Sequence, residues 1–378
     1  MFIEGKPGSG KSTLVRYFTD HLPPDGAIVA KFFYSHRDGE LERDHRSMLQ
    51  SLLYDILKAD ESFFIHFQQP YRNHGGADRD LRTAGTGTSG PSRTWPYETL
   101  KTILRACRTH PLKRKLVLIV DAMDESDSAD RADIVQFLWD LSVSADKDCV
   151  VKVFLASRPL NEFHRDLSSR CKRVLLQERN RKDIEYYTDA FLQDPVFHSV
   201  QGVRNQAKDY IVQNADGVFL WVHLVRQSLV RFARNGSSPR KLLNLLESLP
   251  KGLESYYKYM LERLSGSDKH DCNEDDSHKD DGDLDDIRDG MRILQFCLFS
   301  HRPIQLAELG HALAIPGDIL DEPLDLSWED DKPNVHRRLT HCVGGFVEIR
   351  KSPASGLDGK SLIPLEVFVR LKLIILSS

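Results

Sequence analysis

The sequence predicts an α/β fold, a parallel sheet with helices on both faces, that passes into an all-helical region. Three observations carry this. A glycine-rich loop sits between a short apolar entry (Met1 to Glu4) and a helix-like segment (Thr13 to Phe18). Two runs, Leu116 to Val120 and Val150 to Leu155, are apolar almost without interruption, the pattern of central parallel strands covered on both faces. After about residue 180 the apolar positions recur with helical period instead.

The elements follow in order. Met1 to Glu4 reads as a strand, Gly5 to Ser12 as a loop and Thr13 to Phe18 as the start of a helix. Ala27 to Tyr34 is rich in β-formers, and Met48, Leu49, Leu52, Leu53, Ile56 and Leu57 form one stripe at helical spacing, a second β-α pair. Residues 75–96 hold Gly-Gly, a Thr/Gly/Ser run and scattered charges, and are expected to be an inserted loop. Leu116 to Asp121 and Val150 to Arg158 are further strands with polar ends, and Arg173 to Leu176 is a candidate fifth. Helical stripes then appear at Ile184, Tyr187 and Phe191, over Val218 to Phe232, at Leu242 to Leu249 and over Tyr256 to Leu264. Residues 266–289 carry eleven acidic against three basic side chains and are expected to be a disordered linker. Met291 to Phe299, Ile304 to Ala314 and Val343 to Ile349 suggest a small helix-helix-strand module. The predicted division is therefore 1–178, 179–265, 266–289 and 290–378.

Composition excludes little but frames the rest. With 378 residues, 29% charged and a net charge of -4, there is no basic field to draw nucleic acid, and none is expected as a partner. The most apolar long stretch is broken by His223, Arg226 and Arg231, so no membrane span is expected. Six widely spaced cysteines show neither zinc-knuckle nor redox spacing, and no leader pattern precedes the glycine-rich loop; a cytoplasmic location follows as an expectation.

Gly5, Gly10, Lys11 and Ser12 satisfy G-x-x-x-x-G-K-[ST], a combination expected by chance in about one in a hundred chains of this length. The chemistry explains the types. Glycines let the loop backbone curl so that its N–H groups turn inward on phosphate oxygens, Lys11 supplies positive charge and the Ser12 hydroxyl can reach Mg²⁺; Gly5, Pro7, Gly8, Ser9, Gly10, Lys11, Ser12 and Thr13 are the nucleotide-binding candidates. Asp121 stands where a strand ends, a place from which a carboxylate holds Mg²⁺. It opens Asp121-Ala122-Met123-Asp124-Glu125, three carboxylates within five residues, a crowding that a metal or a water-activating role would offset. Ser157-Arg158 ends the next strand and puts a guanidinium near the rim where a third phosphate would lie. Asp124, Glu125 and Arg158 are the catalytic candidates; Ser12 and Asp121 are the metal candidates. ATP or ADP with Mg²⁺ is the expected ligand set. Phe219 and Trp221 read as core aromatics.

With these residues assembled, the chain resembles a NACHT domain of the STAND class of P-loop NTPases, in its fungal NLR-like, nephrocystin-type form. Gly5 to Ser12 is similar to the family's Walker A and Leu116 to Glu125 to its Walker B. Ala156-Ser157-Arg158-Pro159 is similar to its sensor strand, Asp183 to Tyr187, Gly217 to Trp221 and Leu249 to Leu261 to its helical region, and Arg302 to Leu313 to the start of its winged helix. The resemblance implies a P-loop NTPase sheet followed by a helical domain and a partial winged helix. It implies that Lys11 and Ser12 bind phosphate and magnesium, that Asp121 holds the metal, that Asp124 and Glu125 serve hydrolysis and that Arg158 senses the γ-phosphate. It further implies a slowly hydrolysing ADP/ATP signalling switch with protein partners or self-association through the NACHT domain. Four residues precede Gly5 and the tail from Ile363 departs from the family's pattern. A truncated gene product acting as a nucleotide-dead scaffold is thus one alternative; a P-loop kinase or other phosphotransferase is the other.

Overall fold

The computed structural model describes residues 1–21, 26–36, 39–76, 95–143, 149–160, 171–234, 238–264, 281–300, 302, 304–315, 339, 342–343, 346–351 and 367–371. They fall into two compact units, Met1–His223 and Leu224–Ser378. The change to helical periodicity at residue 179 marks where the strands stop, whereas the units divide later.

In the first unit, β1 (Phe2–Glu4), β2 (Ala27–Phe33), β3 (Arg114–Asp121), β4 (Cys149–Ser157) and β5 (Arg173–Leu175) form one sheet in the order β2-β3-β4-β1-β5. Every neighbouring pair is parallel. That order puts β4 between β1 and β3, so the carboxyl ends of the three strands bearing the glycine-rich loop, Asp121 and Arg158 lie side by side. In an open parallel sheet this is the edge where ligands bind. β3 is buried throughout its last four residues, and β4 likewise over its last four, while Val150 and Lys152 near the start of β4 face solvent. Both-face burial is thus confined to the halves nearest the site.

Helices α1 (Lys11–Asp20), α2 (His45–Ala59), α3 (Gln68–Gly76), α4 (Tyr97–Ala106) and α5 (Arg131–Val143) cover the sheet. The predicted stripe on α2 is the buried one: Met48, Leu49, Leu52, Leu53 and Ile56 join Leu100, Ile103, Leu104, Leu116, Leu118 and Leu138 in the larger core cluster. Asp44 caps α2 by accepting from the N–H groups of Arg46 and Ser47. A second cluster of Ile3, Val15, Ile119, Phe154, Ala156 and Leu176 packs α1 on the other face of β1, β3 and β4. Gly75 and Gly76, expected in the inserted loop, end α3; residues 77–94 of that loop lie outside the described residues. Then come α6 (Leu176–Arg179), α7 (Arg181–Leu192), α8 (Arg204–Asn214) and α9 (Phe219–Arg234), the last crossing the division between units.

In the second unit, α10 (Pro239–Ser248) and α11 (Leu253–Leu264) match their predicted stripes. The next helix, α12 (Asp281–Phe299), begins inside the segment expected to be a disordered linker, which is a correction for 281–289; residues 265–280 lie outside the described residues. Acidic residues are favourable in the first turns of a helix because they oppose its dipole, and Ile293 then anchors the helix in a core. α13 (Leu306–Ala314) starts with a capping box of Gln305 and Glu308. β6 (Ile304–Gln305), β7 (Val347–Lys351) and β8 (Val367–Leu371) form a small antiparallel sheet in the order β6-β8-β7. Strand β8 falls in the tail that departs from the family's pattern, where Val367-Phe368-Val369-Arg370-Leu371 is β-favouring by composition. Ile293 of α12, Leu309 and Leu313 of α13, Leu339, Val343 and Val347 of β7 form the core cluster of this unit. No helix among the described residues is long and apolar enough to cross a membrane, and the five described cysteines are free.

Candidate functional site

The loop between β1 and α1 curls because two glycines accept left-handed backbone, Gly8 at φ 72° and Gly10 at φ 95°. Gly10 is the N-cap of α1 and supplies no side-chain cap, so the first-turn N–H groups of the helix are left for an external acceptor. The Lys11 ammonium folds back over the loop, donating to the carbonyls of Gly5 (2.6 Å) and Lys6 (3.1 Å). Burial and the Arg158 charge depress its pKa to about 8, against the pull of Asp124, Asp121 and Glu125. All four charged neighbours are residues singled out from the sequence, so the fold brings the separate motifs into one place.

Asp121 is buried at the end of β3, 1% exposed. Burial raises its pKa, and a hydrogen bond from the Ser12 side chain works against that rise. Its Oδ1 has no hydrogen-bond partner. A buried carboxylate oxygen without a donor is costly unless something outside the chain satisfies it. Among the described residues no group of three His, Cys, Asp or Glu could hold a metal by itself. Together these fit Mg²⁺, which is bound through one or two protein oxygens plus phosphate oxygens and waters, and do not fit a caged metal.

Beyond Asp121 the chain turns through Ala122, a non-glycine residue at φ 54°, into a 3-10 turn over Met123–Glu125. That reversal carries the next two carboxylates back to the end of β4. Asp124 Oδ1 accepts from the Arg158 N–H (2.9 Å) and the Ser157 hydroxyl (3.2 Å), and its Oδ2 pairs with Arg158 Nε at 3.1 Å. Glu125 Oε2 accepts from the His36 N–H at 3.1 Å, and its Oε1 stands 3.7 Å from Arg158 Nη2. The turn is braced from behind. His45 Nε2 faces the carbonyls of Asp127 and Ala129, both at 3.1 Å, so that nitrogen carries the proton and Nδ1 accepts from the Tyr34 hydroxyl at 2.7 Å. Burial lowers the His45 pKa, consistent with a neutral ring. Arg131 holds the Ser126 carbonyl and hydroxyl.

Several residues at the loop carry no sequence signature. Asn180, 2% exposed, donates from Nδ2 to the carbonyls of Ser9 (3.1 Å) and Gly217 (2.8 Å). Gln177 accepts from the Lys6 N–H, and Lys6 pairs with Asp216. The Leu220 N–H, at the start of α9, bonds to the Gly8 carbonyl at 3.1 Å. A Cβ on Gly8 would stand 2.7 Å from the Leu220 Cβ, which explains that glycine by close approach as well as by φ, whereas one on Gly10 would meet the Phe219 ring at an ordinary 3.4 Å, so Gly10 is explained by φ alone. Phe219 is half-buried against the loop; Trp221 is buried, as expected of a core residue. Only the Gly217 to Trp221 resemblance pointed here, and nothing singled out Asn180, Gln177 or His36. Among the described residues, Pro7 and Thr13 make no polar contact beyond the loop and helix in which they sit.

Residues 1–158 match the family model described as "Nephrocystin 3, N-terminal". The chain is 26% identical over 362 residues to the vegetative incompatibility protein HET-E-1 of Podospora anserina, covering 93% of this chain and 23% of that protein; it therefore spans less than a quarter of that relative's length. Among solved structures, Cdc6p from Pyrobaculum aerophilum aligns at a TM-score of 0.34 and 13% identity over 98% of this chain and 82% of that one. Drosophila ORC bound to DNA aligns at 0.36 and 11% over 99% and 86%. Superpositions this loose carry no argument about this chain, and the P-loop NTPase fold rests on its own strand order and loop.

Proposed function

We propose that this chain, nephrocystin-type (NACHT) over residues 1–158, binds ATP and ADP with Mg²⁺ and acts as a nucleotide-controlled switch with slow hydrolysis. The observation that carries the reading is the convergence of Lys11, Ser12, Asp121, Glu125 and Arg158 at the carboxyl ends of three adjacent parallel strands, with one buried oxygen of Asp121 left without a donor. The loop amides and Lys11 hold the phosphates, giving up the two carbonyls that the ammonium now bonds. Ser12 and Asp121 hold Mg²⁺, which when bound offsets charge on the phosphates. Glu125, whose carboxylate is 30% exposed and fixed on one oxygen by His36, orients or deprotonates the attacking water. Arg158 meets the third phosphate and finds no such partner in ADP, a differential contact without which a ligand shifts no equilibrium. The Leu220 N–H at the start of α9 bonds the Gly8 carbonyl, which ties the start of that helix to the loop.

Protein partners or self-association through the NACHT domain, and a cytoplasmic setting, belong to the same proposal. Nucleotide released from the purified, denatured protein tests it. Bound ADP or ATP at near-stoichiometric amounts is expected, whereas a scaffold without nucleotide function would release none. ATP turnover that depends on an added small phosphoryl acceptor would favour a phosphotransferase instead.

A further inference from the structure

We infer that Asp124 is a positioning residue for Arg158 and not the group that activates water, an inference that rests on the nucleotide reading above. The sequence leaves Asp124 and Glu125 as equal candidates, adjacent and both acidic. The structure separates them by what each carboxylate already holds.

Asp124 is held by two consecutive residues, Ser157 at the end of β4 and Arg158 after it: its Oδ1 accepts from the Ser157 hydroxyl and the Arg158 N–H, and its Oδ2 is ion-paired with Arg158 Nε. Both of its oxygens are engaged, and the side chain is 10% exposed. A water able to lose a proton to this group would have to displace the Arg158 pair first. Glu125 differs on each point. Its side chain is 30% exposed, and one oxygen takes a single backbone N–H. The other oxygen has no donor within hydrogen-bond distance among the described residues, Arg158 Nη2 standing at 3.7 Å. That oxygen therefore keeps hydrogen-bonding capacity that Asp124 has already used.

The Asp124 contacts also have a shape suited to orienting an arginine. They grip Arg158 by its main-chain nitrogen and by Nε, the root of the guanidinium, with Nη2 directed to the Glu125 side. A planar fork fixed at its root presents its far nitrogens in one orientation, the condition for bidentate contact with a phosphate. Backbone geometry serves the same end, since left-handed Ala122 is what returns the Asp124 carboxylate to β4.

The test is the ratio of ATP to ADP dissociation constants, by titration calorimetry at fixed Mg²⁺, together with single-turnover hydrolysis. Arg158→Ala is expected to reduce ATP-over-ADP discrimination about tenfold. Asp124→Asn, which turns an amide N–H₂ or a neutral oxygen toward Nε, is expected to reduce it severalfold, and the double variant no further than Arg158→Ala, because both changes remove one interaction. Glu125→Gln is expected to slow hydrolysis with discrimination retained. Should Asp124→Asn fail to fold, Ser157→Ala removes one of the two donors to Asp124 Oδ1 and is expected to lower discrimination by about twofold to threefold. Discrimination unchanged in Asp124→Asn, or in Ser157→Ala where that variant stands in, overturns the positioning role, and hydrolysis lost in Asp124→Asn as in Glu125→Gln would make Asp124 the base. A parent chain that binds no ATP brings down the nucleotide reading as well; a parent that binds ATP while Asp124→Asn behaves like it brings down this inference alone.

Discussion

Gly217 is where one methyl group should do most damage to the nucleotide loop without touching it. Its backbone lies at φ 73°, and a Cβ there would meet the Gln177 carbonyl oxygen at 2.4 Å, the Gln177 Cβ at 2.5 Å and its Cα at 2.6 Å. Two of those three atoms are backbone and cannot swing aside. Left-handed backbone costs an alanine about 1 kcal/mol, and overpacking a filled site adds about 1–3 kcal/mol. Gly217→Ala should therefore destabilise the first unit by about 2–4 kcal/mol. At about 2–4 °C per kcal/mol for a unit of this size, the melting temperature falls by roughly 5–15 °C. Gly26 is the internal control: its φ is 77°, but nothing lies within 4 Å of its would-be Cβ, so Gly26→Ala should cost only the backbone share, about 2–4 °C. Since the Gly217 carbonyl shares Asn180 with the Ser9 carbonyl, a shifted Gly217 should also weaken ATP binding. Differential scanning fluorimetry on both variants decides it, and equal losses would refute the contact argument.

Raising the pH from 7 to 9.5 should weaken ATP binding, because Lys11 loses its proton near pH 8 in the free protein while phosphates favour the charged form. Binding above pH 8 then takes up a proton, and affinity falls by up to about tenfold per pH unit, measurable as buffer-dependent binding enthalpy; a flat profile would contradict it. The folded-state pKa lies below the unfolded 10.5, so the unfolded chain binds more protons between about 8 and 10.5, and the Lys11 contribution to stability rises with pH across that window. Glu125→Gln should slow turnover about a hundredfold or more with ATP still bound, as read by rapid quench. Lys6→Ala, by contrast, breaks a pair whose side chains are 42% and 75% exposed, and its effect on stability should stay within about 1 kcal/mol in thermal melts.

The sheet and the core of the site were legible because their signals are local. Gly5 to Ser12 is a contiguous motif whose flanks read as strand and helix, and Asp121 and Arg158 each end an apolar run. What no run of residues encodes is strand order: that β4 enters between β1 and β3 depends on its pairing with β1 across more than a hundred positions. Asn180, Gln177 and His36 are invisible in the sequence for the same reason: the first two are single polar residues whose partners are distant backbone atoms, and His36 contributes only a backbone N–H to the distant Glu125 carboxylate. The start of α12 is not legible from acid content, because acidic residues are welcome in a first helical turn and Ile293 supplies the anchor. The equal standing of Asp124 and Glu125 had a different cause, since adjacency on the chain says nothing of which carboxylate the Arg158 side has already engaged.

In the proposed reading the loop from Gly5 to Ser12 is a phosphate cradle and Lys11 supplies its charge. Isothermal titration of Mg²⁺-ATP into the parent chain and into Lys11→Ala tests it most directly. A charged hydrogen-bonding contact of about 1.5–3 kcal/mol corresponds to a loss of about tenfold to a hundredfold in affinity, and that loss is the predicted result. Equal affinity of the two proteins for ATP would contradict the assignment of the loop.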